Sequence, residues 1–231
     1  ELSVLSDGAF DITFDSVGKL YDFRAGVRPD ADSIRKNLPE INYRHVLLDP
    51  AASTIRFAQE GTRINLGGIG KGYSCERVIQ LLRKAGVTNA LANAGGDTRL
   101  LGDRRGKPWM VGIRDPDDGQ RWVTRLALTD EAISTSGDYE RFFDEGGIRY
   151  HHILDPKSGT SASGVRSVTV IGPDATVTDG LSTTVFVMGP ERGLAHMDAT
   201  PGYTADANEA AHHERKTTMK IVPTRIQEEI N

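Results

Sequence analysis

Five short segments hold the residues best equipped for chemistry. Thr178 to Thr184 reads Thr-Asp-Gly-Leu-Ser-Thr-Thr. On a helix, Asp179 and Thr183 share a face at i, i+4, and Ser182 lies beside them at i+3. One carboxylate with two hydroxyls is a hard oxygen set of the kind that suits Mg²⁺. The same residues can equally cap a helix and bond back to their own backbone. Their neighbours Val177, Leu181, Val185, Phe186 and Val187 are apolar, so the polar trio must find partners. An unpaired buried polar group costs about 1–3 kcal/mol.

The other four segments are loops or strand ends. Asn65 to Tyr73 runs Asn-Leu-Gly-Gly-Ile-Gly-Lys-Gly-Tyr, a strand and a glycine turn that open a helix. Glycines let a backbone approach a ligand, a helix N-terminus offers N–H groups to an anion, and Lys71 adds positive charge. The spacing is neither a Walker A loop nor GxGxxG, and a purely structural turn accounts for the glycines equally well. In Asn93-Ala94-Gly95-Gly96-Asp97 the acid can position a ribose or support the first loop, or the glycines form a plain hairpin turn. Thr135 to Arg141 brings hydroxyls, a glycine and an acid next to Tyr139, whose ring can face a ligand ring or a phosphate; a plain loop is the other reading. Tyr150 to Gly159 contains His151 and His152, which on a strand point to opposite faces and so do not share a metal. One of them, with Asp155 close by, can act as a general base near neutral pH, although a strand histidine is more often structural.

These segments need elements to hold them. Alternation over residues 9–14 predicts a strand. Asp30 to Leu38 predicts a short helix capped by Asp30 or Asp32 and stopped by Pro39. Val46–Leu48, Thr54–Phe57 and Arg63–Leu66 read as strands. After the glycine cluster, Cys75, Val78, Ile79, Leu82 and Ala85 share one helical face, and Gly86 ends that helix. Ala90–Asn93, Thr98–Leu101, Trp109–Ile113, Trp122–Leu128, Ala132–Thr135, Tyr150–Leu154 and Arg166–Ile171 read as strands. Ala175–Met188 reads as a largely buried helix and Glu191–Met197 as another. Strands and helices mix without a βαβ repeat, which predicts an α+β fold. Thr204 to Lys216 is polar and reads as an exposed excursion. Lys220-Ile221-Val222 reads as a returning strand, with a tail after it.

Composition narrows the classes. The 231 residues are 38% hydrophobic and 26% charged, enough apolar material for one globular core. A net charge of −4 leaves no basic excess for nucleic acid, so any phosphate recognition has to be local. The single cysteine, Cys75, allows no internal disulfide and leaves the compartment open. No apolar run is long enough for a membrane-spanning helix. The chain starts Glu1-Leu2-Ser3 without Met and shows no signal peptide, which reads as a processed or trimmed piece and leaves room for a targeting segment removed earlier.

Taken in order, the segments resemble the ApbE family of FAD:protein FMN transferases. Gly67 to Tyr73, Asn93 to Asp97, Thr135 to Tyr139, His152 to Gly159 and Asp179 to Thr183 match its motifs. The opening Gly8-Ala9-Phe10-Asp11-Ile12-Thr13 matches its Gly-Ala-Phe-Asp-Ile-Thr strand. The resemblance covers residues 8 to 203. It implies a single α+β domain over residues 1–203, related to the T-fold, with mixed sheets flanked by helices, and an excursion and tail over 204–231. It implies Mg²⁺ held by the Gly68 carbonyl with Asp179, Ser182 and Thr183, and FAD as substrate contacted by Ala9, Phe10, Asp11, Asn65, Lys71 and Leu154. His152 would be the base that deprotonates the acceptor threonine, with Asp179 the second catalytic residue. The implied reaction moves FMN from FAD to a threonine of a partner protein and releases AMP. Attack by water would make the same site an FAD pyrophosphatase, and loss of turnover would leave a flavin-binding protein. Asn65 stands where the family usually has Asp, and the family's front segment with its Met-Gly-Thr motif is not in this chain. Family habit implies a periplasmic or envelope location, with membrane anchoring through that front segment.

Overall fold

A computed structural model describes residues 1–209 of the chain. In chain order they form α1 (Leu2–Leu5), α2 (Asp15–Gly18), α3 (Ala31–Asn37), β1 (Val46–Asp49), β2 (Thr54–Phe57), α4 (Gly70–Lys84), β3 (Ala90–Ala94), β4 (Asp97–Leu101), β5 (Trp109–Arg114), β6 (Trp122–Leu128), β7 (Ala132–Gly137), β8 (Phe142–Glu145), β9 (Ile148–His151), β10 (Leu154–Asp155), β11 (Thr160–Ser161), β12 (Val165–Gly172), α5 (Ala175–Met188), α6 (Pro190–Asp198) and β13 (Thr204–Glu209). The class is α+β, as the sequence predicts, and every strand pair in the described sheets is antiparallel. Two compact units divide the chain: Glu1–Leu66 with Asp138–Ser163, and Gly67–Gly137 with the chain from Gly164 onward.

The first unit is built from short helices and three hairpins, β1–β2, β8–β9 and β10–β11. Asp30 caps α3 by accepting from Ser33 N at 2.7 Å, as its sequence position predicts. Tyr21 and Phe23 stack at 5.3 Å, and Phe143 stacks on Tyr150 at the same separation. Such aromatic pairs add to their burial energy. Two strands expected here do not form. Residues 9–14 curl into a 3₁₀ turn at Ile12–Phe14 because the Asp11 carboxylate accepts from both Thr13 N (2.8 Å) and Thr13 Oγ1 (2.6 Å). This local capping outcompetes a ladder. Arg63–Leu66 stays irregular because its N–H groups go elsewhere, Arg63 N to Ser16 Oγ (3.0 Å) and Asn65 N to Ile12 O (2.8 Å).

The second unit is a five-stranded sheet in the order β13-β12-β7-β4-β3. Gly95 and Gly96, both at positive φ (56° and 102°), make the two-residue turn between β3 and β4. Such a turn needs positive φ at both central positions. One sheet face carries the β5–β6 ribbon, through a core of Leu100, Ile113, Leu128 and Ile133. The other face carries α4 and α5, through Cys75, Ile79, Ala92, Leu101, Ala132 and Ala175. Leu100 and Leu101 enter opposite cores because successive strand side chains alternate. Val78, which shares a helical face with Cys75 and Ile79 by spacing, is 46% exposed. The apolar stripe on α4 is therefore narrower than its spacing suggests.

Of the excursion expected over residues 204–216, the described part, Thr204–Glu209, is a strand whose residues 204–207 are not exposed, and residues 210–216 lie outside the described residues. The strand pairs with β12 as β13, with Ala205 and Ala207 buried. Small alanines on one face and polar residues on the other leave little hydrophobic signal for an edge strand. The expected strand Lys220-Ile221-Val222 and the tail lie outside the described residues.

The backbones of α4 and α5 approach closely at Gly72. A Cβ on Gly72 would lie 2.0 Å from Ala175 O and 2.7 Å from the Asp179 Cβ. Neither helix backbone can yield there without moving the other. Gly72→Ala is expected to cost about 3 kcal/mol, the upper end of overpacking effects, read as a lower urea midpoint.

Candidate functional site

Asp179 sits in the middle of that contact. Its helix begins at Ala175 after Asp174, whose Oδ1 accepts from Thr176 N (2.8 Å) and Val177 N (3.0 Å). The cap is therefore Asp174, and Asp179 is free for another task. It is 1% exposed. Its Oδ2 accepts from Gly72 N at 2.9 Å, and its Oδ1 lies 3.3 Å from Lys71 Nζ. Gly72 belongs to the first turn of α4, where N–H groups have no partner within the helix and attract negative charge.

A second acid faces the same lysine. Asp97, the first residue of β4, pairs with Lys71 Nζ and is also 1% exposed. Burial, and after it the charge of Asp179, push the Asp97 carboxyl up to about 6, with Lys71 pulling the other way. For the Lys71 ammonium, burial works against the charge, but Asp179 and Asp97 outweigh it and hold the pKa above its ordinary value. Of the two sequence readings of Asp97, support for the first loop matches this pairing, and Gly95-Gly96 is the hairpin turn. The sequence did not mark Asp97 as a companion of Asp179. The only trace was two glycine turns, each placing an acid or a lysine at an element start.

The hydroxyls of Thr178, Ser182, Thr183 and Thr184 on α5 are engaged. Ser182 Oγ donates to Asp179 O (2.8 Å), which is the back-bonding alternative, and it also meets Ser136 Oγ at 2.8 Å. Ser136 Oγ reaches Thr183 Oγ1 at 3.2 Å, and Ser134 Oγ meets Thr178 Oγ1 at 2.8 Å. Asp179, Ser182 and Thr183 thus come together with Lys71, Asp97 and Ser136 in one unit. Gly68 lies half-buried in the turn before α4. All donors other than the lysine are oxygens, which fits a hard cation.

The remaining predicted residues lie in the first unit. Ala9, Phe10, Asp11 and Leu154 are buried. Asp11 Oδ2 accepts from Tyr43 N at 2.7 Å, so both of its oxygens hold local structure. Asn65 Nδ2 donates to Asp15 Oδ1 at 3.2 Å. His151 ends β9 buried, with Nε2 donating to Ala162 O at 2.8 Å. His152 lies just past the strand, half-buried, with its main-chain N–H donating to Arg141 O at 3.1 Å. Asp155 uses Oδ1 on Lys157 N (2.9 Å), in the turn that ends at Gly159.

A buried ion pair, not foreseen from sequence, locks the helices that carry the acids. Glu76 Oε2 accepts from Arg99 Nε (3.1 Å) and from Ala175 N (3.0 Å), the first N–H of α5. Each helix therefore sends a carboxylate to the other's N-terminus: Asp179 to Gly72, and Glu76 to Ala175.

Against known proteins, the family model described as "ApbE family" matches residues 1–205. The FAD:protein FMN transferase of Treponema pallidum is 36% identical over 219 residues, 87% of this chain and 60% of that protein. The one from Vibrio cholerae is 35% identical over 206 residues, 86% of this chain and 61% of that protein. The chain thus spans about three fifths of the length of these curated relatives. Among solved structures, the ApbE protein of Thermotoga maritima superposes with a TM-score of 0.84 at 36% identity, covering 90% of this chain and 69% of that one. The apo flavinyl transferase ApbE of Pseudomonas stutzeri gives 0.80 at 31% identity, covering 94% and 69%.

Removing one partner of a buried pair strands the other. Glu76→Ala, which leaves the Arg99 guanidinium and Ala175 N–H behind, is expected to cost about 3–5 kcal/mol. Glu76→Leu with Arg99→Leu should recover a large part of that loss. Urea denaturation followed by circular dichroism checks both.

Proposed function

The chain belongs to the ApbE family, and from that premise we propose that it is a divalent-metal-dependent FAD:protein FMN transferase, which moves FMN from FAD onto a threonine hydroxyl of an acceptor protein. One observation carries the reading. A buried carboxylate, Asp179, is fixed through Oδ2 by a helix N–H, with the hydroxyls of Ser182 and Thr183 on the same helical face. Asp179, Ser182, Thr183 and the Gly68 carbonyl are the residues that would hold Mg²⁺. When bound there, the metal would neutralise pyrophosphate charge and the charge that builds on the transferred phosphoryl group.

The chain's own groups do the rest. Ser136 fixes the hydroxyls of Ser182 and Thr183, so these oxygens are set before any ligand arrives. Lys71 brings a positive charge to the start of α4. In the reaction the threonine Oγ bonds to the FMN phosphorus, the bond to the AMP oxygen breaks, and AMP leaves with that electron pair. His152 takes the threonine proton, a role supported by the matching His152 to Gly159 motif. Ala9, Phe10, Asp11, Asn65 and Leu154 belong to the FAD side of the same reading. Placement in the cell envelope, with anchoring there, rests on family resemblance.

Asp179→Asn keeps an oxygen for Gly72 N–H and removes the charge. It is expected to abolish Mg²⁺-dependent AMP release from FAD while the protein stays folded; unchanged release would remove the metal assignment. His152→Ala is expected to slow FMN transfer to an acceptor about 10²–10⁴-fold with FAD binding retained. If binding fell in step, His152 would belong to the binding surface. AMP with only free FMN, and no fluorescent acceptor, would make the activity hydrolytic.

A further inference from the structure

We propose that the Lys71 ammonium is an internal counter-ion that competes with the divalent cation for Asp179. The inference rests on the reading of Asp179 as a metal ligand.

Asp179 has two oxygens, and one of them is committed to the contact between the helices. Oδ2 is held by Gly72 N–H at 2.9 Å, at the contact where the α4 and α5 backbones leave no room for adjustment. Turning it away would leave a first-turn N–H unpaired in a buried place, a cost of about 1–3 kcal/mol. Oδ1 remains, and Lys71 Nζ lies 3.3 Å from it. A cation that binds Asp179 through Oδ1 therefore shares that oxygen with the ammonium. Two positive charges at one oxygen repel, and burial strengthens the repulsion.

Lys71 has a way to yield. Its side chain is 42% exposed, whereas those of Asp97 and Asp179 are 1% and 2% exposed. Its second partner, Asp97, lies on β4 and keeps hold of the ammonium after it leaves Asp179. The exchange needs only side-chain rotation. Without metal, Lys71 keeps two buried carboxylates from facing each other uncompensated. With metal, the lysine is freed from Asp179 beside the site and becomes available to an anionic group of the incoming substrate. The lysine thus weakens metal binding to the protein alone and favours metal that arrives with a phosphate.

The test is Mn²⁺ affinity without nucleotide, from the electron paramagnetic resonance signal of free Mn²⁺, for the wild type, Lys71→Met, Lys71→Gln and Lys71→Arg. Met and Gln are expected to tighten binding about tenfold, and Arg, which keeps the charge, to leave it near wild type. Mn²⁺ should also raise the melting temperature more in the neutral variants than in the wild type. Gln retains a hydrogen-bond donor for Asp97 and serves where Met fails to fold. Neutral variants that bind Mn²⁺ no tighter than wild type would overturn the competition, as would absence of Mn²⁺ binding in all four proteins. Mn²⁺ binding that follows the expected order, in a protein that releases no AMP from FAD, would uphold the competition and defeat the transferase reading alone.

Discussion

The second unit depends on the point where α4 and α5 touch. Gly72 and Ala175 bring the two backbones together so closely that each helix's first turn is covered by the other. Covered N–H groups need acceptors, and the helices exchange them: Asp179 serves Gly72, and Glu76 serves Ala175. In each helix the acid lies four residues beyond the N–H it helps to bury. One helical turn thus separates donor from acceptor on both sides, and neither helix can slide or rotate without breaking both bonds. The positive ends of two helix dipoles meet the two carboxylates, which offsets part of the cost of burying the acids.

The sheet beneath keeps this register. A helical turn rises 5.4 Å, and two strand residues rise roughly 6.6–6.8 Å. Helix and strand side chains therefore stay in step for about two turns. On β4, Asp97, Arg99 and Leu101 face α4, and the first two meet Lys71 and Glu76. On β7, Ser134 and Ser136 meet Thr178 and Ser182. Polar groups in a buried layer are costly unless each has a partner. Here the pairing distributes them into a ladder, so the oxygens proposed for metal binding are positioned by the same contacts that fold the unit.

This explains what was readable in the sequence. The bounds of α5, Ala175–Met188, and the grouping of Asp179, Ser182 and Thr183 follow from local periodicity, because a helix face is a short-range property. The same holds for Gly95-Gly96 as a hairpin turn. Asp97 beside Asp179, Glu76 with Arg99, and Ser136 under Ser182 join residues from different elements, and no spacing encodes those meetings. Residues 9–14 alternated as a strand should, yet one carboxylate, Asp11, redirected the backbone through three short hydrogen bonds to Thr13 and Tyr43. The edge strand from Thr204 escaped notice for the opposite reason, since the side chains it buries are Ala205, Asp206 and Ala207, with no large apolar group among them.

Charge at the centre of the unit also orders events. Two buried carboxylates face one ammonium, a formal balance of −1 if all three are ionised, which repels a pyrophosphate. Burial and Asp179 together push Asp97 up to about 6, so near neutral pH protonation gives only partial relief. Under the proposed function, a dinucleotide meets an unfavourable field in the protein alone and a favourable one once a divalent charge is added. The first-turn N–H groups at Gly72 and Ala175 add little to that field, because they are already committed to Asp179 and Glu76. A glycine-rich turn into a helix usually suggests direct phosphate binding by backbone N–H groups. In this chain the N–H of Gly72 holds the acid in place instead, and under the proposed function the cation and Lys71 bring the positive charge that meets the phosphates.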